Sequence, residues 1–127
     1  MESVPAAAPV VSSSPELSVV VPTFKERANV PELVRLLGVA LQGIAWEVIF
    51  VDDDSPDGTW EVAKEISRRD PRVRCLRRVG RRGLAGACIE GMLSSAAPTV
   101  AVMDADLQHD EALLPKMFAA IRDGAEL

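Results

Sequence analysis

Short runs of apolar, mostly β-branched residues alternate with helix-forming segments along most of this chain. The runs LSVVV and EVIFV contain almost no polar residue, which is the pattern of strands buried on both faces of a sheet. The predicted strands are 17–21, 47–51, 73–76 and 99–103. The predicted helices are one that Asn29 caps, 59–69, 84–96 and a last one that ends near Arg122. Regular alternation of strand and helix predicts an α/β fold, with a parallel sheet, flanking helices and right-handed crossovers.

The composition fits one globular domain behind a short tail. Of the 127 residues, 48% are hydrophobic and 26% are charged, which are globular proportions. Residues 1–15 are rich in Pro, Ala and Ser and carry one charge, Glu2, so we expect an extended tail before a domain at 16–127. No apolar run approaches the roughly 20 residues that a membrane helix needs. The net charge of −5 argues against wholesale binding of nucleic acid.

The two cysteines, Cys75 and Cys88, are too few and too widely spaced for a disulfide scaffold or a zinc site built on cysteines. We expect both to be reduced core residues of a protein on the cytosolic side. A disulfide between them is the alternative.

Acidic residues follow two of the predicted strands directly. They are Asp52, Asp53, Asp54, Asp104 and Asp106. Ligands of parallel α/β sheets bind outside the carboxyl ends of the strands, so these acids should share one edge of the sheet. So many carboxylates at one edge repel one another unless a cation joins them, and a divalent metal is the simplest such cation.

The spacing of the last acidic group supports a metal site. Residues two apart in an extended segment point the same way, so Asp104, Asp106 and Gln108 would present three oxygen ligands along one face. Hard oxygen donors suit Mg²⁺ or Mn²⁺. Asp-x-Asp also occurs in ordinary turns, which is the alternative interpretation of this segment.

The aspartate run after the second strand divides into two predicted roles. We assign Asp57 to shaping the turn that Gly58 continues, because Asp and Gly are turn residues. At least one of Asp52 and Asp53 should face the ligand edge. There it could accept hydrogen bonds from ribose hydroxyls or a base, as acids do in nucleotide-binding folds.

A basic band lies inside this acidic chain, because eight of its 14 Lys and Arg residues are arginines between Arg68 and Arg82. Its glycines are spaced GxxGxxG, which is not the dinucleotide fingerprint GxGxxG. We expect a solvated face for one group of arginines: Arg68, Arg69, Arg72 and Arg74. A second group lies near the glycine-rich helix start, where phosphate contact and solvent exposure both remain open: Arg77, Arg81 and Arg82.

Four segments together resemble a known family: VVVPTFKERANV, FVDDDSPDGTWEVA, RRVGRRGLAGACIEGM and VMDADLQHDEALLPKM. They are similar to the inverting glycosyltransferases of family two, with the closest resemblance to dolichyl-phosphate or polyprenyl-phosphate mannose synthases. The resemblance covers residues 17–127, and the order of DDDSPDGT and MDADLQH makes it specific. It implies the GT-A fold, whose nucleotide-binding half is a Rossmann-like parallel sheet with flanking helices.

The resemblance also implies roles for individual residues. The residues that match nucleotide-sugar-binding positions are Pro22, Phe24, Glu26, Val51, Asp53, Asp104, Ala105 and Asp106. Asp104 and Asp106 match the catalytic segment, and with Gln108 they match the positions that hold Mg²⁺ or Mn²⁺. Lys25 stands where family members often have an amide.

The implied reaction is the transfer of mannose from GDP-mannose to a polyprenyl (dolichyl) phosphate with inversion. The implied partners are the donor, the lipid acceptor and the cytoplasmic face of a membrane, where the protein would be peripheral, with no nucleic acid. The family continues beyond the matched region, so we expect this chain to be the donor-binding, N-terminal part. The alternatives are a polyprenyl-phosphate glucosyltransferase that uses UDP-glucose and a non-catalytic nucleotide-binding fragment.

Overall fold

The computed structural model describes residues 14–106 of the protein. Its strands are β1 (Leu17–Thr23), β2 (Trp46–Asp52), β3 (Val73–Arg77) and β4 (Thr99–Val102). Its helices are α1 (Asn29–Ala40), α2 (Thr59–Arg69) and α3 (Leu84–Ser94). The predicted alternation is therefore confirmed over this range. Nearly all of the predicted tail, the last predicted helix and Gln108 lie outside the described residues.

All four strands run parallel in the order β3-β2-β1-β4. The chain adds β2 and β3 on one side of β1 and then returns to place β4 on the other side. Such a reversal opens a crevice at the carboxyl ends of the strands, which is where open α/β sheets bind ligands. The α/β fold and the parallel sheet with flanking helices are confirmed.

The central strands β1 and β2 are buried on both faces, which explains their continuous apolar runs, whereas β3 and β4 at the edges of the sheet are mostly half-buried. On one face, α1 and α2 pack against alternate residues such as Val19, Val21 and Phe50. On the other face, α3 packs against Val20 and Ile49. Neither α1, α2 nor α3 is long and apolar enough to cross a membrane.

The contact between α3 and the sheet is close enough to require glycine. A methyl group added at Gly91 would lie 2.4 Å from Cγ1 of Val20 and 3.1 Å from Cγ2 of Val51. The absence of a side chain at Gly91 therefore lets the backbone of α3 approach the strands.

The amino ends of the strands hold a polar cluster, which we call the Glu47 cluster. The Ser18 hydroxyl donates a 2.6 Å hydrogen bond to the buried Glu47 carboxylate and accepts one from the Ser95 hydroxyl. Arg74 lies 3.3 Å from the same carboxylate and donates to the Ser94 carbonyl at 3.0 Å. We expected Arg74 on a solvated face, and it is only partly exposed, because the buried Glu47 of β2 holds a cation beside it.

The start of α1 also differs from the expectation. The residue that caps α1 is Ala28, and Asn29 lies inside the helix. The Glu26 carbonyl already accepts the N–H groups of Asn29 and Val30, so the chain has turned before it reaches Asn29. The Asn29 amide instead donates to the Glu26 carboxylate at 2.8 Å.

Both cysteines are free thiols, as expected, and each is partly buried. Burial raises the pKa of the Cys75 thiol to about 12, and the charge of Asp52 adds to this effect. Cys75 is therefore protonated at neutral pH and suits packing better than nucleophilic chemistry.

Candidate functional site at the carboxyl edge of the sheet

A cavity of about 290 Å³ opens at the carboxyl ends of β1 and β2, beside the start of α3. Its lining includes Pro22, Thr23, Phe24, Asp53, Arg82 and Gly83. We call it the edge pocket. A groove of about 450 Å³ between α1 and α2 is larger but contains none of the predicted site residues. Three of the predicted nucleotide-sugar residues thus line one pocket at the expected edge.

Asp52 and Asp53 have different roles, although they are neighbours. Asp52 is fully buried, and its carboxylate accepts hydrogen bonds from the Thr23 hydroxyl at 2.8 Å and from the Ser55 amide and hydroxyl at 2.8 and 2.7 Å. Its oxygens are therefore occupied by the turn. Asp53 lines the edge pocket instead, which agrees with the expectation that at least one of the two faces the ligand edge.

The Asp53 carboxylate retains accepting capacity. Its Oδ2 accepts the Gly83 amide at 2.9 Å. Its Oδ1 is buried without a hydrogen bond and lies 3.4 Å from Nη1 of Arg78. A carboxylate oxygen can accept more than one hydrogen bond, so Asp53 suits a ligand that carries N–H or O–H groups.

Asp57 has the predicted turn role. Its carboxylate accepts the backbone amide of Thr59 at 3.0 Å and also the Thr59 hydroxyl. The hydroxyl is the main cause that lowers the pKa of Asp57. Gly58 adopts a left-handed backbone with φ of 90° just before α2.

Phe24 forms the aromatic wall of the edge pocket, and 38% of it is exposed. The Arg82 guanidinium lies 4.7 Å from the centre of its ring, and the Lys25 ammonium lies 5.4 Å from it. The Lys25 amide donates to the Ser55 hydroxyl at 2.9 Å, which ties the loop after β1 to the loop after β2. Phe24 is thus held at a pocket whose rim is cationic.

Glu26 and Val51 lie next to the edge pocket and are not among its lining residues. The Glu26 amide donates to the Thr59 hydroxyl at 3.0 Å, and its carboxylate holds Asn29. Val51 is fully buried in the small core beneath α3. Their contact with a nucleotide stays a prediction.

The segment after β4 carries two acids to the same edge. The Met103 amide donates to the Val20 carbonyl at 3.0 Å, so the chain continues beside β1 past the end of β4. Met103 and Ala105 are buried, whereas Asp104 and Asp106 are exposed. Exposure therefore alternates along this segment, and the shared direction of the two carboxylates stays a prediction. Gln108, the third predicted ligand, lies outside the described residues.

No group of three His, Cys, Asp or Glu side chains within residues 14–106 could hold a metal ion by itself. Two exposed carboxylates nonetheless provide hard oxygen donors and leave coordination positions open for water and phosphate. Mg²⁺ is commonly bound in this way, through one or two carboxylates with substrate phosphates completing the shell. The donor set fits an ion that binds together with its substrate.

The basic band is less basic at its surface than its composition indicates. Seven of its eight arginines lie within 4.0 Å of a carboxylate, on Glu47, Asp53, Asp54, Glu65, Asp70 or Glu90. Arg68, Arg69 and Arg72 are exposed as expected. Of the three arginines considered for phosphate contact, Arg77 pairs with Asp54 and Arg81 pairs with Glu90. Arg82 is the one of these three that lines the edge pocket.

Arg78 is the residue that the sequence-based reasoning missed. It is 4% exposed, and its amide donates to the Asp52 carbonyl at 2.8 Å, just past the end of β3. Its guanidinium lies between Asp53 and Glu90. The signal was available, because residues that directly follow parallel strands were already the place to look for chemistry.

Residues 18–127 match the family described as Glycosyl transferase family 2. A dolichol-phosphate mannosyltransferase of Pyrococcus furiosus is 44% identical over 112 residues, which cover 88% of this chain and 32% of that protein. A protein of the same name from Saccharomyces cerevisiae is 35% identical over 113 residues, covering 87% and 42%.

A similar solved structure is a mannosyltransferase from Pyrobaculum calidifontis in complex with GDP-Man and Mn²⁺. It is 24% identical, with a TM-score of 0.65 over 91% of this chain and 34% of that one. This likeness supports the fold, which is that of GT-A glycosyltransferases.

The chain belongs to glycosyl transferase family 2. It spans less than half of the length of the two mannosyltransferases.

Proposed function

We propose that the protein containing this chain transfers mannose from GDP-mannose to a polyprenyl (dolichyl) phosphate, with inversion and with a divalent metal. This chain would supply the donor-binding part. The observation that carries the proposal is that the edge pocket and the exposed acids Asp104 and Asp106 follow the carboxyl ends of neighbouring strands, at the same edge of the sheet. The names of the relatives support mannosyl transfer to a lipid phosphate, and the neighbour that contains GDP-Man supports the donor.

The nucleoside of the donor would occupy the edge pocket. Phe24 offers an aromatic face to its base, and the Asp53 carboxylate can accept hydrogen bonds from base N–H or ribose O–H groups. Arg82, which has no ion pair with a carboxylate of the described residues, would contribute positive charge beside the diphosphate. Pro22 would form part of the apolar wall.

Asp104 and Asp106 would hold Mg²⁺ or Mn²⁺, with Gln108 as the predicted third ligand. When bound, the ion would neutralise the departing diphosphate as a Lewis acid. Ala105, buried between the two acids, would keep both carboxylates directed toward the donor.

The acceptor would attack through its phosphate oxygen. Phosphate monoesters already carry negative charge near neutral pH, so this nucleophile needs no strongly activated general base. The described edge of the sheet accordingly needs to bind the donor and stabilise its leaving group. It does not need to supply a base.

A lipid acceptor implies work at a membrane surface, and we propose a peripheral location on the cytoplasmic face. Exposed arginines such as Arg68, Arg72 and Arg81 could lie toward anionic lipid. Each well-placed basic residue near such a surface contributes roughly 1 kcal/mol of attraction. Their local carboxylate partners reduce this attraction.

The metal assignment is tested with Asp106→Ala. Binding of GDP to the chain is measured by calorimetry with and without Mn²⁺, and transfer is measured in a version that includes the rest of the protein. We expect Asp106→Ala to remove both the Mn²⁺-dependent gain in affinity and the transfer. A variant with full Mn²⁺-dependent transfer contradicts the assignment. Glu61→Gln, at an exposed position of α2, is the control.

The donor is tested by comparing GDP, UDP and NAD as ligands of the same chain. GDP is expected to bind most tightly. A preference for UDP would support a glucosyltransferase that uses UDP-glucose. A preference for NAD would contradict glycosyl transfer altogether.

A further inference from the structure

Arg78 is a buried cation whose contacts converge on the edge pocket. Its Nη1 lies 3.4 Å from Oδ1 of Asp53 and donates a 3.1 Å hydrogen bond to the Gly83 carbonyl. The Gly83 amide in turn donates to Oδ2 of Asp53 at 2.9 Å. Arg78, Asp53 and Gly83 therefore close a ring, and two of its three members line the pocket.

The charge of Arg78 is shared with a second acid. Its Nε lies 3.1 Å from Oε2 of Glu90, and Glu90 also receives two 3.1 Å hydrogen bonds from Arg81. Glu90 on α3 therefore forms an ion pair with the guanidinium, although Nε of Arg78 has no hydrogen bond with suitable geometry. The Arg81 side chain is the main cause that lowers the pKa of Glu90, and the charge of Arg78 contributes.

The glycine spacing that matched no phosphate-binding motif is explained by Arg78. A methyl group added at Gly86 would lie 2.8 Å from Nη2 and 3.2 Å from Nη1 of Arg78. Gly83 adopts φ of 125° and Gly80 adopts φ of 79°, conformations that L side chains rarely take. In the GxxGxxG segment, Gly80 and Gly83 therefore allow the chain to turn, and Gly86 leaves space for the Arg78 guanidinium.

A buried ion pair is weak evidence for a purely stabilising role, because well-packed apolar residues often stabilise a fold equally well. Arg78 occupies a buried position between two carboxylates, and it contacts both the pocket acid and the pocket loop. Its position is explained if Asp53, which lines the pocket, must be held in one orientation by the cation beside its buried Oδ1.

We infer that Arg78 is a positioning residue: it fixes the Asp53 carboxylate and the loop at 80–83 so that the edge pocket is preformed for a nucleoside diphosphate. This inference rests on the proposed function. It adds that recognition of the nucleoside depends on an arginine that does not itself contact the nucleoside.

The test measures GDP binding to the 127-residue chain by calorimetry in Mn²⁺ and, in parallel, unfolding in urea. We expect Arg78→Met to weaken GDP binding roughly tenfold to a hundredfold, because the pocket carboxylate loses its cation. Arg78→Lys keeps the positive charge but lacks the paired N–H donors of the guanidinium, so it should lose less GDP affinity than Arg78→Met. The matched control is Arg74→Met, which removes the arginine of the Glu47 cluster and should leave GDP affinity unchanged.

A double-mutant cycle separates positioning from a general loss of stability. If Arg78 acts through Asp53, then Arg78→Met should cause no further loss of GDP affinity in an Asp53→Asn background. Gly86→Ala provides an independent perturbation, since it displaces the guanidinium without changing its charge, and it should also weaken binding. Gly38→Ala, where an added methyl meets nothing within 4 Å, is the control.

The outcomes distinguish the two proposals. A wild-type chain that binds neither GDP nor UDP contradicts the proposed function. If the wild-type chain binds GDP and the folded variants Arg78→Lys and Gly86→Ala bind it equally well, the role of Arg78 is overturned and the proposed function is not. Additive losses in the double-mutant cycle also overturn that role. If Arg78→Met does not fold, Arg78→Lys and Gly86→Ala decide the question.

Discussion

Two buried acids, each paired with an arginine, lie at opposite ends of the strands. At the amino ends, Glu47 pairs with Arg74, and the surrounding serines and the Ser94 carbonyl complete the hydrogen bonds. At the carboxyl ends, Asp53 pairs with Arg78, and one oxygen of Asp53 has no hydrogen bond.

The difference between the two pairs separates a structural role from a binding role. The hydrogen bonds of the Glu47 cluster join its own residues and the Ser94 carbonyl, and none of its residues lines the edge pocket. Asp53 lines that pocket, and its buried Oδ1 has no hydrogen bond. A buried acid that a protein uses only for stability is normally fully hydrogen-bonded, so the incomplete pair is the one that suits a ligand.

The largest expected difference comes from neutralising each acid in turn. Asp53→Asn should weaken GDP binding roughly tenfold or more, because the pocket loses its anionic acceptor. Glu47→Gln should leave GDP affinity unchanged and lower the free energy of unfolding by about 1–3 kcal/mol, because Arg74 and Ser18 lose a charged partner. Calorimetry and urea unfolding on both variants measure the two effects. A Glu47→Gln variant that loses affinity as strongly as Asp53→Asn would remove the distinction.

A second prediction concerns the helix that both pairs share. Gly91→Ala places a methyl group 2.4 Å from Val20, which should lower the free energy of unfolding by about 1–3 kcal/mol through overpacking. Gly38→Ala lies in open space on α1 and should be neutral or raise it by up to about 1 kcal/mol. Urea unfolding provides both values, and equal stability of the two variants would show that α3 does not approach the sheet as closely as described.

The smallest expected effect is the pH dependence of the turn between the pocket and α2. Hydrogen bonds from Thr59 lower the pKa of Asp57 in the folded state, so its stabilising contribution is fully present above the unfolded pKa and is lost as pH falls through the lower folded pKa. Asp57→Ala should therefore destabilise the chain near pH 6 and have less effect below about pH 3.

The control for that experiment is Asp57→Asn, which keeps an acceptor for Thr59 but does not titrate. The free energies of unfolding of Asp57→Asn and the wild type should be most similar at low pH, where Asp57 is protonated. A destabilisation by Asp57→Ala that is the same at both pH values would contradict the assigned hydrogen bonds.

The strands and helices were largely predictable because each depends on a local pattern. The bounds of α2 match the prediction, and each described strand begins within one residue of its predicted start. Parallel strands that are buried on both faces need continuous apolar runs, and the runs of β1 and β2 are visible in the sequence. The cap of α1 was not predictable in the same way, because the carbonyl of Glu26, outside the expected helix, starts the turn.

The candidate site was predictable in part. Rules about strand ends found Asp53, Asp104 and Asp106, since the edge that a strand end occupies follows from strand direction. The same reasoning could not assign an acidic partner to each arginine. Arg74, Arg77 and Arg78 are close neighbours in the sequence, yet they pair with Glu47, Asp54 and Asp53 respectively.

The sequence by itself determined the α/β fold, the family and the edge at which chemistry is expected, because periodicity, motif order and strand direction are local or cumulative properties of the chain. Only the tertiary structure decided that hydrogen bonds from Thr23 and Ser55 occupy the Asp52 carboxylate, whereas Asp53 lines the edge pocket. It also decided which arginines are buried. The contacts of Asp53 and the burial of Arg78 depend on partners that lie 25 to 30 residues apart along the chain, because packing of β2, β3 and α3 brings Asp53 to Arg78 and Gly83.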